Sequence, residues 1–188
     1  MVGIDIDAQP RYPYTFVQGD ALKLLKDKGF VRQFSAIHAS FPCQHYKMGT
    51  LRTTQPTRDL VTPGRSLLCR TGLPWVMENV IGSPLDPVRS ITLCANAFGL
   101  RSYRHRLFEP SPGLSLEAPP HLQHLKPVAN SRRRERWRSG WHASITGDIG
   151  TYIGPEAMGI DWMTGNGLSQ AIPPAYTRWI GARLLGAL

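Results

Sequence analysis

Short apolar runs separated by polar turns recur along the chain and predict β-strands. Four of these runs lie in the first half of the sequence, at residues 2–5, 16–18, 36–39 and 75–77. Apolar runs of this length, bounded by turn residues, are typical of strands that are covered on both faces, as in a parallel sheet. The pattern therefore predicts a mostly parallel sheet at the core of the protein.

Helical patterns alternate with these strands and complete an α/β arrangement. Short helices are predicted at residues 22–28 and 66–70, and a closing helix at residues 174–188. Two further strands are predicted at residues 91–93 and 103–108. Strands that alternate with helices in this way indicate an α/β fold.

The distribution of polar residues divides the chain into parts. A chain of 188 residues suits one domain with a small lobe. We expect a core at residues 1–109, a proline-, glycine- and arginine-rich lobe at residues 110–161, and a C-terminal segment at residues 162–188 that returns to the core. Residues 44–62 are polar and rich in threonine, which predicts a long mobile loop.

A cysteine directly after a proline ends one of the predicted strands. Pro42, Cys43 and Gln44 follow the apolar run at residues 36–39. Because Pro42 fixes its own φ and restricts the residue before it, the chain leaves the strand in a set direction. A thiol held there suits a thiolate nucleophile, although a free cysteine is more often a small core residue.

Charged residues accompany two later strands. Glu78 comes at the carboxyl end of the run at residues 75–77, which is where open α/β sheets bind their ligands. Arg104 and Arg106 alternate along an extended segment and therefore share one of its faces. Each of these features is common by itself, but their order along the chain is not.

In this order the residues resemble the motifs of the cytosine-5 DNA methyltransferases, in the small form carried by bacteriophages. The family's Pro-Cys-Gln nucleophile motif is matched at residues 42–44, and its Glu-Asn-Val motif at residues 78–80. Its twin-arginine motif is matched at Arg104 and Arg106. The resemblance implies a Rossmann-like sheet that binds S-adenosylmethionine, and it makes residues 110–161 the lobe that recognises the target DNA.

The resemblance also implies the reaction and the role of each matched residue. A methyl group would pass from S-adenosylmethionine to carbon 5 of a cytosine flipped out of the duplex. Cys43 would add to carbon 6 as a thiolate, and Glu78 would stabilise the charge that develops at ring nitrogen 3. Arg104 would provide positive charge near the thiolate, and Arg106 would hold the carbonyl oxygen of the base or a phosphate. Asn79 would fix the position of Glu78.

The cofactor would be held by acidic residues near the start of the chain. Asp5 follows a strand and can accept hydrogen bonds from both ribose hydroxyls, with Asp7 as the alternative and a plain turn aspartate as another. Asp20 resembles the family's adenine-binding aspartate, but a helix N-cap explains it equally well. The resemblance adds Pro42 to the cofactor site.

The sequence departs from the family pattern in three places. Ser102 stands where the twin-arginine motif has glutamine, and both leading residues of the late Gly-Asn-x-x-Pro-Pro motif are changed at residues 169–174. The family's glycine-rich loop, which wraps the methionine part of S-adenosylmethionine, is not found near Met1. We expect the natural protein to begin upstream of Met1, with a degenerate or split enzyme as the alternative.

Two hypotheses of different classes follow. The first is an active cytosine-5 methyltransferase that acts on double-stranded DNA, which retention of Cys43, Glu78 and both arginines favours. The second is a DNA-binding relative that does not bind S-adenosylmethionine, which the missing glycine-rich loop favours. Such a relative would act as a decoy, or as a subunit that needs a partner chain to supply the first strand.

Basic residues exceed acidic residues and are concentrated in one segment. The chain has 22 Lys and Arg against 13 Asp and Glu, a net charge of +9 and a pI of about 9.9. This excess favours binding to a polyphosphate backbone, and arginines near Trp137 and Trp141 can also stack on bases. We expect DNA contacts from the arginine-rich segment at residues 132–138, and also from Gln44 and Asn79. The alternative for the segment is a solvated basic loop. The arginines are Arg132, Arg133, Arg134, Arg136 and Arg138.

Other protein classes are disfavoured by what the sequence lacks. No apolar run approaches the length of a membrane span, and no signal-peptide pattern opens the chain. The three cysteines form no Cys-x-x-Cys pair and leave an odd one, so we expect a reducing cytoplasm. The resemblance to bacteriophage enzymes implies the cytoplasm of a bacterium or of a phage-infected cell. His121 and His124 lie in a proline-flanked stretch and are interpreted as loop histidines, with no metal site expected.

Overall fold

The structure, a computed structural model, is mixed α/β and describes residues 1–46, 58–129, 134–145, 152–163 and 165–188. The strands are β1 (Val2–Asp5), β2 (Thr15–Gln18), β3 (Ile37–Ser40), β4 (Trp75–Asn79), β5 (Ile91–Cys94), β6 (His105–Pro110), β7 (Val128–Ala129) and β8 (His142–Ala143). The helices are α1 (Ala21–Leu24), α2 (Lys28–Val31), α3 (Val61–Thr71), α4 (Arg134–Arg138), α5 (Gly154–Met158), α6 (Gly165–Gln170) and α7 (Pro174–Leu185). None of the helices in the described ranges is long and apolar enough to cross a membrane.

The chain divides into two compact units. The first contains residues 1–91, 106–116 and 183–188, and the second contains residues 92–105 and 117–182. Both units are therefore built from segments that are distant in sequence. The division expected at residues 109 and 161 stays a prediction.

Parallel pairs of strands form most of the sheet structure of the first unit. β1 pairs with β2, with Asp5 opposite Gln18, and β3 pairs with β4, with Ser40 opposite Glu78. On its other side β4 pairs with β6 in the antiparallel sense. All five residues of β4 are buried, as expected for an apolar strand with a neighbour on each edge.

A hydrophobic cluster joins α3 to β4. Side chains from the helix and the strand lie with Phe41 and Leu85 in a common core. The fully buried members transfer large apolar surfaces out of water, the dominant favourable contribution to folding. The cluster consists of Phe41, Val61, Leu68, Trp75, Met77 and Leu85.

A buried carboxylate ties α3 to β6. Glu109 is fully buried, and its oxygens accept hydrogen bonds from Nε and Nη2 of Arg65, at 2.8 and 2.7 Å, and from Nη2 of Arg89, at 2.9 Å. The backbone N–H of Asp86 donates a further hydrogen bond of 2.9 Å. Because a buried charge is tolerated only when it is paired, this network fixes the position of the helix that supports Phe41.

Two helices differ from the sequence prediction. One helix was expected at residues 22–28, but the structure has α1 and α2, because Asp27 accepts hydrogen bonds from the N–H groups of Gly29 and Phe30 and begins a new helix. The helix expected at residues 66–70 begins earlier, at Val61. In the predicted loop at residues 44–62, Gln44–Tyr46 forms a 3-10 turn, and residues 47–57 lie outside the described residues.

In the second unit, Trp137 of α4 belongs to the core. Its side chain is 3% exposed and packs with Ala143 and Ile153. Its indole Nε1 donates to Glu156 at 2.9 Å, and the guanidinium of Arg101 lies 3.7 Å from the ring centre. One face and the N–H edge of Trp137 are thus engaged within the protein, so this buried tryptophan is not placed to stack on bases as expected.

Candidate active site

Cys43 lies just beyond the carboxyl end of β3, where the sequence places it. The strand ends at Ser40, and Phe41 and Pro42 lead to the half-buried Cys43. The 3-10 turn Gln44–Tyr46 follows directly, and the carbonyl of Cys43 accepts a 3.0 Å hydrogen bond from the N–H of Tyr46. The backbone is therefore held on both sides of the thiol.

Asn79, the last residue of β4, fastens the turn that carries Cys43. Its side-chain Nδ2 donates a 3.0 Å hydrogen bond to the carbonyl of Phe41, and its Oδ1 accepts one of 2.9 Å from the N–H of Val80. The side chain is 1% exposed. The sequence predicts that Asn79 fixes Glu78. In the structure the side-chain amide of Asn79 donates its hydrogen bond to the carbonyl of Phe41, just after the end of the neighbouring strand β3.

Glu78 and Arg106 form an ion pair inside the first unit. Nε of Arg106 lies 3.2 Å from Oε1 of Glu78, whose side chain is 9% exposed. In the strand register Glu78 is opposite Ser40, three residues before Cys43. The parallel pair β3–β4 thus brings the carboxyl ends that carry Cys43 and Glu78 to the same edge of the sheet.

A glycine in α3 makes room for the ring of Phe41. A Cβ at Gly64 would lie closer to the Phe41 ring than any normal van der Waals contact. Gly64 is buried, and its side of α3 faces the residue that opens the Cys43 turn. The sequence did not indicate this role, because Gly64 lies just before the helix predicted at residues 66–70 and a lone glycine gives no sign of what packs against it.

A tyrosine–aspartate pair lies beside the same turn. The hydroxyl of Tyr46 donates to Oδ1 of Asp59, which also accepts from the N–H groups of Val61 at 2.8 Å and Thr62 at 3.2 Å. Burial would raise the pKa of Asp59, but these hydrogen bonds outweigh it and lower the pKa from 3.8 to about 2. Burial and the bond to Asp59 raise the pKa of Tyr46 to about 12.

An open pocket of about 310 Å³ lies next to the turn, and Pro42 and Gln44 are part of its lining. His45, Arg58 and Leu60 line the rest. A larger pocket of about 420 Å³ includes Trp75, at the amino end of β4, and so lies away from the edge that carries Glu78. The smaller pocket is therefore the better candidate for a substrate site.

Arg104 belongs to the second unit and is 4% exposed. Its guanidinium donates to the carbonyls of Ser169, at 2.9 Å, and Ile145, at 3.4 Å. Its own carbonyl accepts a hydrogen bond from the hydroxyl of Tyr176. These contacts hold the arginine within its unit, and its predicted role near Cys43 stays a prediction.

The proposed cofactor residues lie at the carboxyl ends of β1 and β2. Oδ1 of Asp5 accepts a 2.9 Å hydrogen bond from the N–H of Asp7, and both side chains are exposed. Asp20 caps α1 by accepting from the N–H groups of Leu22 and Lys23. Its capping role is therefore established by geometry, while its binding of adenine stays a prediction.

Three of the five predicted DNA-binding arginines lie in α4. Arg134 lies over the ring of Tyr152 and Arg136 over that of Trp141, each at 4.5 Å. Arg138 is exposed. The other two, Arg132 and Arg133, lie outside the described residues. Gln44 is exposed in its turn.

Comparison with known proteins supports the fold. No protein-family model and no curated protein matches the chain. Its structure is similar to a crystal structure of a triple mutant of DNMT2 from Spodoptera frugiperda, with a TM-score of 0.57 and 10% sequence identity. The match covers 98% of this chain and 91% of that one. At this level of identity the likeness is one of fold.

Proposed function

We propose that the protein transfers a methyl group to carbon 5 of cytosine in DNA through a covalent adduct with Cys43. The observation that carries the proposal is that the carboxyl ends of the paired strands β3 and β4 lie at the same edge of the sheet, with Cys43 just after β3 and Glu78 in β4. The hydrogen bond from Asn79 to the Phe41 carbonyl links these two strand ends. The likeness in fold to DNMT2, a methyltransferase, supports the proposal.

The chain's residues supply the activation of the base. The Cys43 thiolate forms a carbon–sulfur bond at carbon 6 of cytosine, and the ring electron pair moves toward carbon 5 and nitrogen 3. Glu78, oriented by Arg106, stabilises the charge that develops on the ring. Once carbon 5 has received the methyl group, a base removes the proton from carbon 5 and the electron pair of that C–H bond restores the double bond between carbons 5 and 6. The Cys43 thiolate then leaves carbon 6 with the electron pair of the carbon–sulfur bond.

The ends of β1 and β2 fit the cofactor that this reaction needs. S-adenosylmethionine supplies the methyl group when it is bound. The exposed Asp5 carboxylate directly follows the glycine and isoleucine of β1, a position that suits hydrogen bonding to ribose hydroxyls. Asp7 and Asp20 lie at the same edge, and Pro42 would line the site at the end of β3.

Double-stranded DNA is the substrate that the charge favours. A net charge of +9 attracts a polyphosphate, and the arginines of residues 132–138 concentrate it in one segment. Carbon 5 of a stacked base is out of reach, so the target cytosine must leave the duplex. Gln44 is exposed directly after Cys43 and is suited to contact the displaced base or its backbone. Asn79, which is 1% exposed and engaged by the Phe41 carbonyl and the Val80 N–H, would act instead by holding the Cys43 turn. Such a reaction is expected in the cytoplasm.

Mechanism-based trapping tests this function. The protein is incubated with S-adenosylmethionine and a pool of random-sequence duplexes in which cytosine is replaced by 5-fluorocytosine. Because fluorine at carbon 5 cannot leave as a proton does, the enzyme should remain attached to the DNA through Cys43. A denaturation-resistant adduct that requires the cofactor is the expected result.

Two cysteine variants sharpen this experiment. Cys69→Ser changes an exposed thiol in α3 and should trap as well as the wild type, whereas Cys43→Ser should not trap. Binding of unmodified DNA should stay within a few-fold in both variants. An adduct that persists in Cys43→Ser would contradict the assignment of the nucleophile.

A second candidate is a DNA-binding relative without methyl transfer. Among the described strands, β1 pairs with β2 alone and β3 with β4 alone, so each has one edge to which a strand from a partner chain could add. DNA binding without an adduct, both for the wild type and for Cys69→Ser, would favour this candidate over the enzyme.

A further inference from the structure

Four side chains with nitrogen or sulfur ligands converge in the second unit, at a place that no catalytic residue occupies. Cys94 ends β5, His105 begins β6, and His121 and His124 lie in the segment before β7. One ligand atom of each lies within 4.8 Å of those of the other three. The four residues are referred to as the Cys-His cluster.

Two distances within the Cys-His cluster are close to the ligand–ligand distances of a tetrahedral metal site. Sγ of Cys94 lies 3.5 Å from Nε2 of His124, and Nε2 of His105 lies 3.0 Å from Nε2 of His121. Around a zinc ion, bonds of about 2.3 Å to sulfur and 2.0–2.1 Å to nitrogen place sulfur and nitrogen about 3.6 Å apart and two nitrogens about 3.3 Å apart. These two pairs would need to move apart by only about 0.1–0.3 Å to fit the ion, and the remaining pairs, which are within 4.8 Å, would move closer where they exceed these values.

Neighbouring side chains hold the ring of His124. Tyr103 stacks on it with ring centres 3.9 Å apart and an angle of 14° between the planes. His142 stacks on Tyr103 in turn, at 4.6 Å and 5°. The Tyr103 hydroxyl accepts a 3.0 Å hydrogen bond from the N–H of Lys126 and lies 2.9 Å from its carbonyl. Stacking fixes the plane of the His124 ring, and contacts outside the ligand shell that orient the ligands are a general feature of metal sites.

We propose that the Cys-His cluster binds a zinc ion with a structural role. One thiolate and three imidazoles are soft or borderline ligands, which select zinc over magnesium or calcium. Four protein ligands fill a tetrahedral site and leave no position for a substrate, so the ion would stabilise the fold. It would fasten residues 117–127, which contain no helix and no strand, to the ends of β5 and β6. This site is independent of methyl transfer.

The sequence carried part of this signal. His121 and His124 have the short spacing of a ligand pair, but the prediction of plain loop histidines rested on the lack of partners nearby in sequence. Cys94 and His105 are separated from them by 27 and 16 positions, counted from Cys94 to His121 and from His105 to His121. Only the fold brings these partners together.

Metal content and cobalt spectroscopy test the proposal. The full chain is prepared with zinc, desalted and assayed for metal, with one zinc per chain expected. Replacing zinc with cobalt(II) should give the intense visible absorption of a tetrahedral site and a thiolate-to-cobalt charge-transfer band. Cys94→Ser should abolish that band, and His124→Ala should weaken zinc binding by more than about 100-fold, the upper end of the loss seen for outer partners.

Matched variants separate ligation from folding. Gln123→Ala lies between the two loop histidines and Cys69→Ser removes another thiol, so both should keep one zinc per chain. His121→Cys replaces one ligand by another and should retain cobalt with a stronger charge-transfer band. The proposal would be overturned if the wild type and Cys94→Ser bound the same amount of zinc, below one ion per chain. It would also be overturned if His121→Cys left the cobalt spectrum unchanged.

Discussion

The side-chain amide of Asn79 donates a 3.0 Å hydrogen bond to the carbonyl of Phe41, so the end of β4 holds the chain two residues before Cys43. Both partners are buried, so the bond satisfies a donor and an acceptor that are shielded from water. The position of the proposed nucleophile therefore depends on a side chain that has no part in the chemistry of the sulfur.

Removing this amide should cost both stability and activity. Asn79→Ala leaves the Phe41 carbonyl without its donor, and the expected loss is about 1–3 kcal/mol in the free energy of unfolding. Adduct formation should fall by a larger factor than DNA affinity. Urea unfolding and trapping measure the two effects. Gln33→Ala removes an exposed side-chain bond to a helix carbonyl and should change stability by less than about 0.5 kcal/mol. Equal losses in the two variants would contradict the role of Asn79.

A methyl group at Gly64 should displace the Phe41 ring. Gly64→Ala overpacks the contact between α3 and the Cys43 turn, with an expected cost of about 1–3 kcal/mol. Gly181→Ala is the matched control, because it lies in α7 with no atom within 4 Å of the added Cβ and should be neutral or stabilising. Thermal unfolding distinguishes them. If Gly64→Ala is as stable as Gly181→Ala, the close approach of Phe41 is not a constraint.

Neutralising Glu78 should slow adduct formation while leaving the protein folded. Glu78→Gln keeps the size of the side chain but removes the charge that faces Arg106, and a rate loss of about 10²–10⁴-fold is expected. Single-turnover trapping gives the rate. Glu117→Gln, at an exposed position, should have the wild-type rate. A wild-type rate in Glu78→Gln would remove Glu78 from the reaction.

Stability that depends on the Asp59 carboxylate should be lost in acid. Because its folded-state pKa of about 2 lies below the ordinary 3.8, this stability is present above pH 3.8 and disappears as the pH falls through about 2. Tyr46→Phe removes one of the hydrogen bonds that lower the pKa of Asp59. The free energy of unfolding should therefore fall less steeply as the pH is lowered. Urea unfolding between about pH 2 and 5 measures it. Tyr14→Phe, at an exposed tyrosine, should show the same pH dependence of the free energy of unfolding as the wild type.

The arginine segment should set the salt dependence of DNA binding. Changing Arg132, Arg133 and Arg134 together to glutamine should weaken binding and reduce the slope of log affinity against log salt by about 0.9 for each phosphate that the protein no longer neutralises. The matched variant changes three exposed lysines outside the segment and should keep more of the slope. An unchanged slope in the arginine variant would assign the segment to a solvated loop. The control lysines are Lys23, Lys26 and Lys28.

Among the described residues, β1 to β6 could be predicted because each overlaps a short apolar run with turn residues at its ends, whereas the two-residue strands β7 and β8 were not predicted. The run at residues 2–5 is β1, and that at residues 75–77 lies within β4. The helix expected at residues 22–28 was wrong because α1 ends at Leu24 and the Asp27 side chain begins a second helix. The hydrogen bonds from the Asp27 cap therefore decided where the second helix begins, and the spacing of apolar residues did not.

The candidate site was predictable as far as it depends on sheet geometry. Parallel neighbours bring their carboxyl ends to one edge, which places Cys43 and Glu78 together once β3 and β4 are known to pair. The bond from Asn79 and the clearance at Gly64 depend on how α3 and β4 pack around Phe41. Information of that kind is absent from spacing along the chain.

Because β1 pairs with β2 in a separate sheet, the strands of the first unit are expected to open locally at different rates. β4 is hydrogen-bonded on both edges and fully buried, so its amides should exchange with deuterium last, while those of the partly exposed β1 should exchange early. Asp5 and Glu78 therefore belong to segments with different lifetimes. A ligand that contacted both would slow exchange most in β1, which makes that strand the natural reporter of binding.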